Sequence, residues 1–247
     1  MDRMLYIAMS GARETMRAQA VNTNNLANAS TTGFRADLET AVSFPLYGPG
    51  QASRVYGVTE GNGLDHSAGA LRKTGRELDV AVKGDGWIAV QAPDGSEAYT
   101  RAGDLKVDGF GLLTTGAGHP VMGDGGPIAI PPNAKLDIGS DGTISVLPLG
   151  QGANALAVVD RIKLVRLPPA QTVKGDDGLV RLKGGGQAEA DASVSLVSGT
   201  LEASNVNAVE SMVRLIELAR QYETQVKMMK SAEDNDRSAA ELLRVTG

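Results

Sequence analysis

The sequence predicts an α+β fold. Two terminal amphipathic helices form an α-helical coiled-coil domain, and an all-β, barrel- or sandwich-like domain is inserted between them. Three observations predict it. Residues 205–244 contain neither Gly nor Pro and carry apolar residues at alternating three- and four-residue intervals. Residues 76–200 are short runs, several of them divided by Asp-Gly turns. Residues 2–29 lack Pro and again repeat apolar residues along one face. The composition agrees: 31 of 247 residues are Gly and only 4% are aromatic, which favours punctuated strands over a large aromatic core.

The first helix is read over residues 2–29, with Leu5, Ala8, Met9, Ala12, Met16 and Ala20 on its apolar face. Asn22, Asn24, Asn25 and Asn28 crowd its C-terminal half around Leu26 and Ala27. Asn is a poor interior helix residue because its amide competes for backbone partners. Two readings follow: a fraying helix end, which the sequence favours, or amides bonded to a neighbouring chain. Thr31, Thr32 and Gly33 end the helix. Beyond it, Pro45, Gly48, Pro49, Gly50, Gly57, Gly61, Gly63 and Gly69 break any sustained period. Residues 35–75 are therefore expected to be an extended connector that packs along something or orders on assembly.

In the β domain, 76–204, strands are expected at 78–83, 87–91, 98–101, 105–107, 112–114, 120–122, 128–130, 135–138, 143–147 and 161–167, with 194–197 closing the set. Turns fall at Asp108-Gly109, Asp124-Gly125 and Asp141-Gly142. The last helix carries the seam Met212, Leu215, Ala219, Tyr222, Val226 and Met229, widened by Val209 and Ile216. Its other faces place Glu210–Arg214, Glu223–Lys227 and Glu233–Arg237 four apart, in the stabilising acid-then-base order. Asn207 and Glu210 resemble a capping box. The terminal helical domain thus comprises residues 1–34 and 205–247. A lone pair of helices has little core, so helices from other chains are the natural partners.

Several functional classes are excluded. The net charge of −5 gives no sequence-wide basic field for nucleic acid or anionic lipid. Cys is absent, which removes disulfides, thiolate metal sites and thiol nucleophiles. His66 and His119 have no spacing that suits a metal site. No phosphate loop, complete Gly-x-Gly-x-x-Gly, zincin motif or nucleophile elbow occurs. The acidic turns at 104–111 and 137–142 lack the ligand ladder of a calcium loop. Tyr99, Arg101, Asp104 and Asp108 are read as a strand edge with a solvated face. The expectation is a protein that is not an enzyme and has no cofactor, metal or small-molecule substrate. The apolar run at residues 4–9 is too short for a cleaved signal, and no run is long enough to cross a bilayer.

Three blocks carry a resemblance. Asn25-Leu26-Ala27-Asn28-Ala29-Ser30-Thr31-Thr32-Gly33-Phe34-Arg35 resembles the N-terminal signature of bacterial flagellar rod and hook proteins. The runs from Leu78 to Trp87 and from Tyr99 to Gly103 are similar to their central β domain. The run from Gly199 to Asn207 is similar to the start of their C-terminal helix. One departure is Thr32, where the family commonly has Pro, which leaves the turn less rigid. The opening Met1-Asp2-Arg3, the run from Ala8 to Ala12 and the modest length are most like the proximal-rod members. Distal-rod and hook-type subunits of the same family, and a cytoplasmic coiled-coil scaffold, are the alternatives.

The resemblance implies a structural subunit of the flagellar basal body. It would leave the cell through the flagellar type III export apparatus without a cleaved signal. In the periplasm it would assemble, with itself and other rod proteins, into a helical tube that transmits torque. The assembly interface would be Leu5, Met9, Ala12, Met16, Asn25, Asn28, Asn205, Asn207, Met212, Leu215, Ala219, Tyr222, Val226 and Met229.

Overall fold

The computed structural model describes residues 3–45, 55–148 and 156–245. They belong to two compact units, each assembled from separated stretches of chain. One comprises Met1–Ala27, Asp37–Gly63 and Asn207–Gly247; the other comprises Asn28–Ala36 and Leu64–Val206.

The first unit is built on helix α1, Arg3–Ala27, and helix α2, Ala208–Val245. At about 1.5 Å per residue, α2 is some 57 Å long and α1 some 38 Å. They pack antiparallel: Asn22 reaches Ser211, while Gly11 lies against Gln225 further along α2. Asn207 starts α2 as its cap, its Oδ1 accepting from the backbone N–H groups of Val209 and Glu210 at 3.1 and 3.3 Å. Strands Asp37–Pro45 and Val55–Leu64 pair in a two-stranded sheet within the stretch read as a connector. In the first strand Leu38, Val42 and Phe44 recur at even spacing and are exposed, a short period two that the surrounding Gly and Pro obscure in sequence. Gly48, Pro49 and Gly50 lie outside the described residues.

The second unit is β-rich. Its largest sheet has five antiparallel strands in the order Leu164–Val165, Trp87–Gln91, Glu97–Thr100, Val180–Leu182 and Thr172–Lys174. Alternate residues of Trp87–Gln91 point to opposite faces and seed two cores. Ile88 and Val90 join Leu105, Leu113, Val121, Ile128, Ile144 and Ile162 in the larger one. Trp87 and Ala89 join Tyr99, Val165, Leu167 and Val180 in the smaller. A three-stranded sheet, Asn133–Ile138, Thr143–Pro148 and Ala157–Arg161, contributes Ile138, Ile144 and Val146 to the larger core.

Among the described residues no closed barrel forms, which corrects the barrel-like expectation. Outside these two sheets the described strands pair only two by two, including Val80–Lys83 with Ser195–Ser198 and Leu71–Lys73 with Thr200–Glu202. Strands of two to six residues, each stopped by a turn, are too short to carry a ladder around a closed cylinder. The expected strand at 128–130 is reduced to an isolated bridge between Leu112 and Ala129. The strands at Thr172–Lys174, Val180–Leu182 and Thr200–Glu202 were not legible because each is only three residues long.

Candidate assembly surface and the junction of the sequence blocks

The helix pair buries an unusual set of residues. On α1 the enclosed positions are Ala8, Ala12, Thr15, Asn22 and Asn25, all small or polar. On α2 they are Ser211, Leu218 and Ala232, flanked by half-buried Leu215, Tyr222, Gln225 and Met229. Positions 211, 215, 218, 222, 225, 229 and 232 alternate four and three apart, so they form one stripe. Small residues let the helices approach closely: a Cβ added at Gly11 would meet the Gln225 side chain at 3.0 Å. Asn22 donates its amide to the Ser211 carbonyl at 2.7 Å.

Other large apolar side chains lie outside the stripe. Leu5, Met9 and Met16 are exposed on α1, Met9 by 55%. On α2, Val209, Met212, Val213 and Ile216 are exposed at i, i+3, i+4 and i+7, Met212 and Ile216 each by 54%. Val226, 41% exposed, stands two heptads beyond Met212. The six-residue seam expected from sequence is therefore divided. Leu215, Ala219, Tyr222 and Met229 are half-buried, while Met212 and Val226 face away from the buried stripe. A seam one residue out of register includes polar Ser211 and Gln225, which an apolar pattern search passes over.

The Asn cluster is neither a frayed end nor left for another chain at the two buried positions. Asn25 holds Asp37 at both backbone groups, its Oδ1 accepting from the N–H at 2.8 Å and its Nδ2 donating to the carbonyl at 2.9 Å. Asn28, half-buried, accepts from the Thr31 hydroxyl at 3.1 Å. Asn205 belongs to the β-rich unit. Its Oδ1 accepts from the Ala36 N–H at 2.8 Å, and its Nδ2 donates to the carbonyls of Asp65 and Ser67, both at 3.1 Å.

Within the β-rich unit the three sequence blocks meet at a buried ion triad that sequence reasoning missed. Arg35 Nη2 lies 2.6 Å from Glu202 Oε1, and Arg101 Nη1 lies 3.1 Å from Glu202 Oε2. All three side chains are almost wholly enclosed. Arg101 also donates to the Gly84 carbonyl at 2.6 Å and places its guanidinium carbon 5.4 Å from the centre of the Trp87 ring. Burial works against the charged form of Arg101, and the Glu202 carboxylate supports it. The reading of Tyr99 and Arg101 as a solvated edge is thus corrected: both are buried. Tyr99 instead donates to Glu97 at 2.9 Å, and Lys163 brackets the same carboxylate at 2.9 Å to each oxygen. The sequence signal for the triad was weak: Arg35, Arg101 and Glu202 each lie in one of the three blocks, but so do Asp79, Lys83 and Asp85. Asp108 caps its own turn, accepting from Phe110 and Leu112 N–H groups at 2.8 Å.

Backbone fit locks the junction. Gly33 has φ +65° and donates its N–H to the Glu202 carbonyl at 2.8 Å. A Cβ there would fall 2.2 Å from the Arg101 carbonyl carbon. Among the described residues, no helix is long and apolar enough to cross a membrane, and no group of three or more His, Asp or Glu is placed to hold a metal ion.

The chain resembles known proteins along its whole length. Residues 5–35 match the family described as flagella basal body rod protein, residues 81–146 the flagellar hook protein FlgE/F/G D1 domain, and residues 197–242 the flagellar basal body rod FlgEFG protein C-terminal region. The first match ends on Arg35, the second contains Arg101 and the third contains Glu202. The flagellar basal-body rod protein FlgF of Escherichia coli (strain K12) is 45% identical, with all of both chains covered. That of Caulobacter vibrioides is 36% identical over 98% of each chain. The flagellar basal-body rod protein FlgG of Bacillus subtilis is 30% identical over 95% of this chain and 96% of its own.

Proposed function

Because the chain belongs to the flagellar basal-body rod protein family, as a structural subunit of the rod, we propose that its helix pair is an incomplete bundle finished by the helices of neighbouring subunits. The observation that carries this is the inverted burial. Small and polar residues of α1 face a stripe of α2 that encloses Leu218 and half-buries Leu215, Tyr222 and Met229, while Met9, Met16, Met212, Val213 and Ile216 stay exposed. Fully burying one such side chain is worth about 1.5–3 kcal/mol, so half-burying several contributes several kcal/mol per copy. A symmetric assembly repeats that gain at every copy of the contact.

In this reading the subunit is of the proximal-rod type and has no catalytic role. It passes through the flagellar export apparatus without a cleaved signal and joins other rod proteins in the periplasm. The rod then carries torque through its helices. Leu5, Met9, Met16, Met212 and Val226 make contacts between subunits, whereas Asn25, Asn205 and Asn207 set the local geometry of their own chain.

The test is complementation of a strain lacking the gene with Ile216→Asp. The variant monomer should keep the wild-type helix content, and rods and swimming should be lost. Swimming at the wild-type level would refute a buried interface on this face. Retention of the wild-type chain in the cytoplasm of an otherwise intact strain would instead favour a cytoplasmic scaffold.

A further inference from the structure

His66 stands where the charges of the junction are out of balance. Two guanidiniums, Arg35 and Arg101, share the one carboxylate of Glu202, whose Oε1 also accepts from the Gly69 N–H at 2.9 Å. The half-buried His66 ring lines one cavity with Arg101, Asp85, Arg166 and Trp87. It lies edge-on to the Trp87 ring, with ring centres 6.1 Å apart. The hydrogen bonds fix where the imidazole carries its proton. Thr172 Oγ1 donates its one hydrogen to the Pro169 carbonyl at 2.8 Å. Toward His66 Nε2, 3.2 Å away, that hydroxyl can then only accept, so Nε2 holds the ring hydrogen. A second proton has to enter at Nδ1.

The surroundings oppose that proton. Arg35 and Arg101 disfavour a positive ring, while Asp65 and Asp85 favour one. Asp65 is already engaged by the Ser67 N–H at 2.8 Å, and Asp85 is exposed to water. Arg166 is exposed and 3.5 Å from Asp191, and Lys174 donates to the Arg35 carbonyl at 3.0 Å. Burial, then Arg35, holds the imidazole below its ordinary range. The backbone that carries the ring is pinned on both sides. The Asp65 N–H donates to the Ala36 carbonyl at 2.9 Å, and Asn205 holds the carbonyls of Asp65 and Ser67. At Gly69 a Cβ would fall 1.9 Å from the Ala203 carbonyl oxygen.

We infer that His66 is an acid-sensitive latch of the β-rich unit. Uncharged, it ties the 65–69 segment to Thr172 and Trp87. Charged, it becomes a third cation beside one buried carboxylate, and the tie is released. The segment runs into Leu71–Lys73, which pairs with Thr200–Glu202, so mild acid loosens the junction from this side. The native chain binds the proton less tightly than the unfolded chain, where His titrates near 6.5. The latch is therefore fully set above about pH 6.5, and its contribution is lost as pH falls through the native value. It works within this unit and does not depend on the helix interface.

Trp87 is the only Trp and His66 is one of two His, so both rings can be followed in the full-length protein. Urea denaturation is monitored by Trp87 emission from about pH 8 to about pH 5. Below about pH 6.5 the folding equilibrium of wild type should fall, relative to His66→Gln, by up to about tenfold per pH unit. Gln keeps an N–H for Thr172 but cannot take up the proton. His119→Gln should follow wild type. In that variant the remaining imidazole resonance belongs to His66, and by NMR it should titrate below about 6.5. Amide exchange at residues 65–69, corrected for its intrinsic pH dependence, should accelerate over the same range in wild type and not in His66→Gln. Parallel denaturation curves for wild type and His66→Gln overturn the inference. So do a His66 resonance that titrates at or above about 6.5, an acid response that disappears in His119→Gln, and unchanged protection at 65–69.

Discussion

Arg35 and Glu202, 167 positions apart in sequence, meet at 2.6 Å with both side chains enclosed. The pair ties the segment that follows α1 to the segment that precedes α2, and Arg101 completes it from the second block. One carboxylate therefore holds two guanidiniums away from water. Its removal leaves buried cations uncompensated, which costs far more than loss of a surface pair.

Glu202→Gln should accordingly destabilise the β-rich unit by about 3–5 kcal/mol. The surface pair Arg237–Glu233, 3.3 Å apart and well exposed, is the control. Arg237→Ala should change stability by less than about 1 kcal/mol. Urea denaturation followed by Trp87 emission measures the first, and helix ellipticity the second. Equal effects would show that the triad is not desolvated in solution.

Gly33→Ala should be as damaging as Glu202→Gln although it removes no charge. Its positive φ strains any L side chain, and the new methyl meets the Arg101 backbone, which cannot swing aside. A urea midpoint within experimental error of wild type would mean that this turn is reshaped at little cost.

The two sides of α2 should respond oppositely to a carboxylate. Leu218→Asp places it in the stripe against α1, so the monomer itself should lose helix ellipticity. Val226→Asp places it on the exposed side, so the monomer should keep its ellipticity while rod assembly and swimming fail. Swimming by the Val226→Asp strain would exclude this side from the assembly. Loss of helix in the Val226→Asp monomer would place it in the fold of its own chain.

Alkaline pH should destabilise the smaller core of the β-rich unit. Burial raises Tyr99 to about 12, its bond to the Glu97 carboxylate adds to the rise, and the N–H of Ala188 opposes it. The native state therefore binds this proton more tightly than the unfolded chain, where Tyr titrates near 10. The contribution is complete below pH 10 and is lost as pH rises from about 10 to about 12. Denaturation midpoints from pH 9 to 11.5 should fall more steeply for wild type than for Tyr99→Phe. Parallel curves would show that Tyr99 titrates as an exposed phenol.

The sequence by itself determined both helices, most of the strands and the family blocks. These depend on local periodicity, on Asp-Gly turns and on residue order, all of which are carried by neighbouring residues. It also located the residues of the triad inside those blocks, but not that they meet. Only tertiary structure decided that Arg35, Arg101 and Glu202 share one buried site, because the burial of a charge depends on partners 66 to 167 residues away. Tertiary structure likewise decided which stripe of each helix is enclosed. Apolar spacing marks every face that can be buried. Between these two helices, close approach through Ala8, Gly11, Ala12 and Ser211 selected the stripe that encloses Leu218 and half-buries Leu215, Tyr222 and Met229, and left Met212, Val213 and Ile216 facing outward.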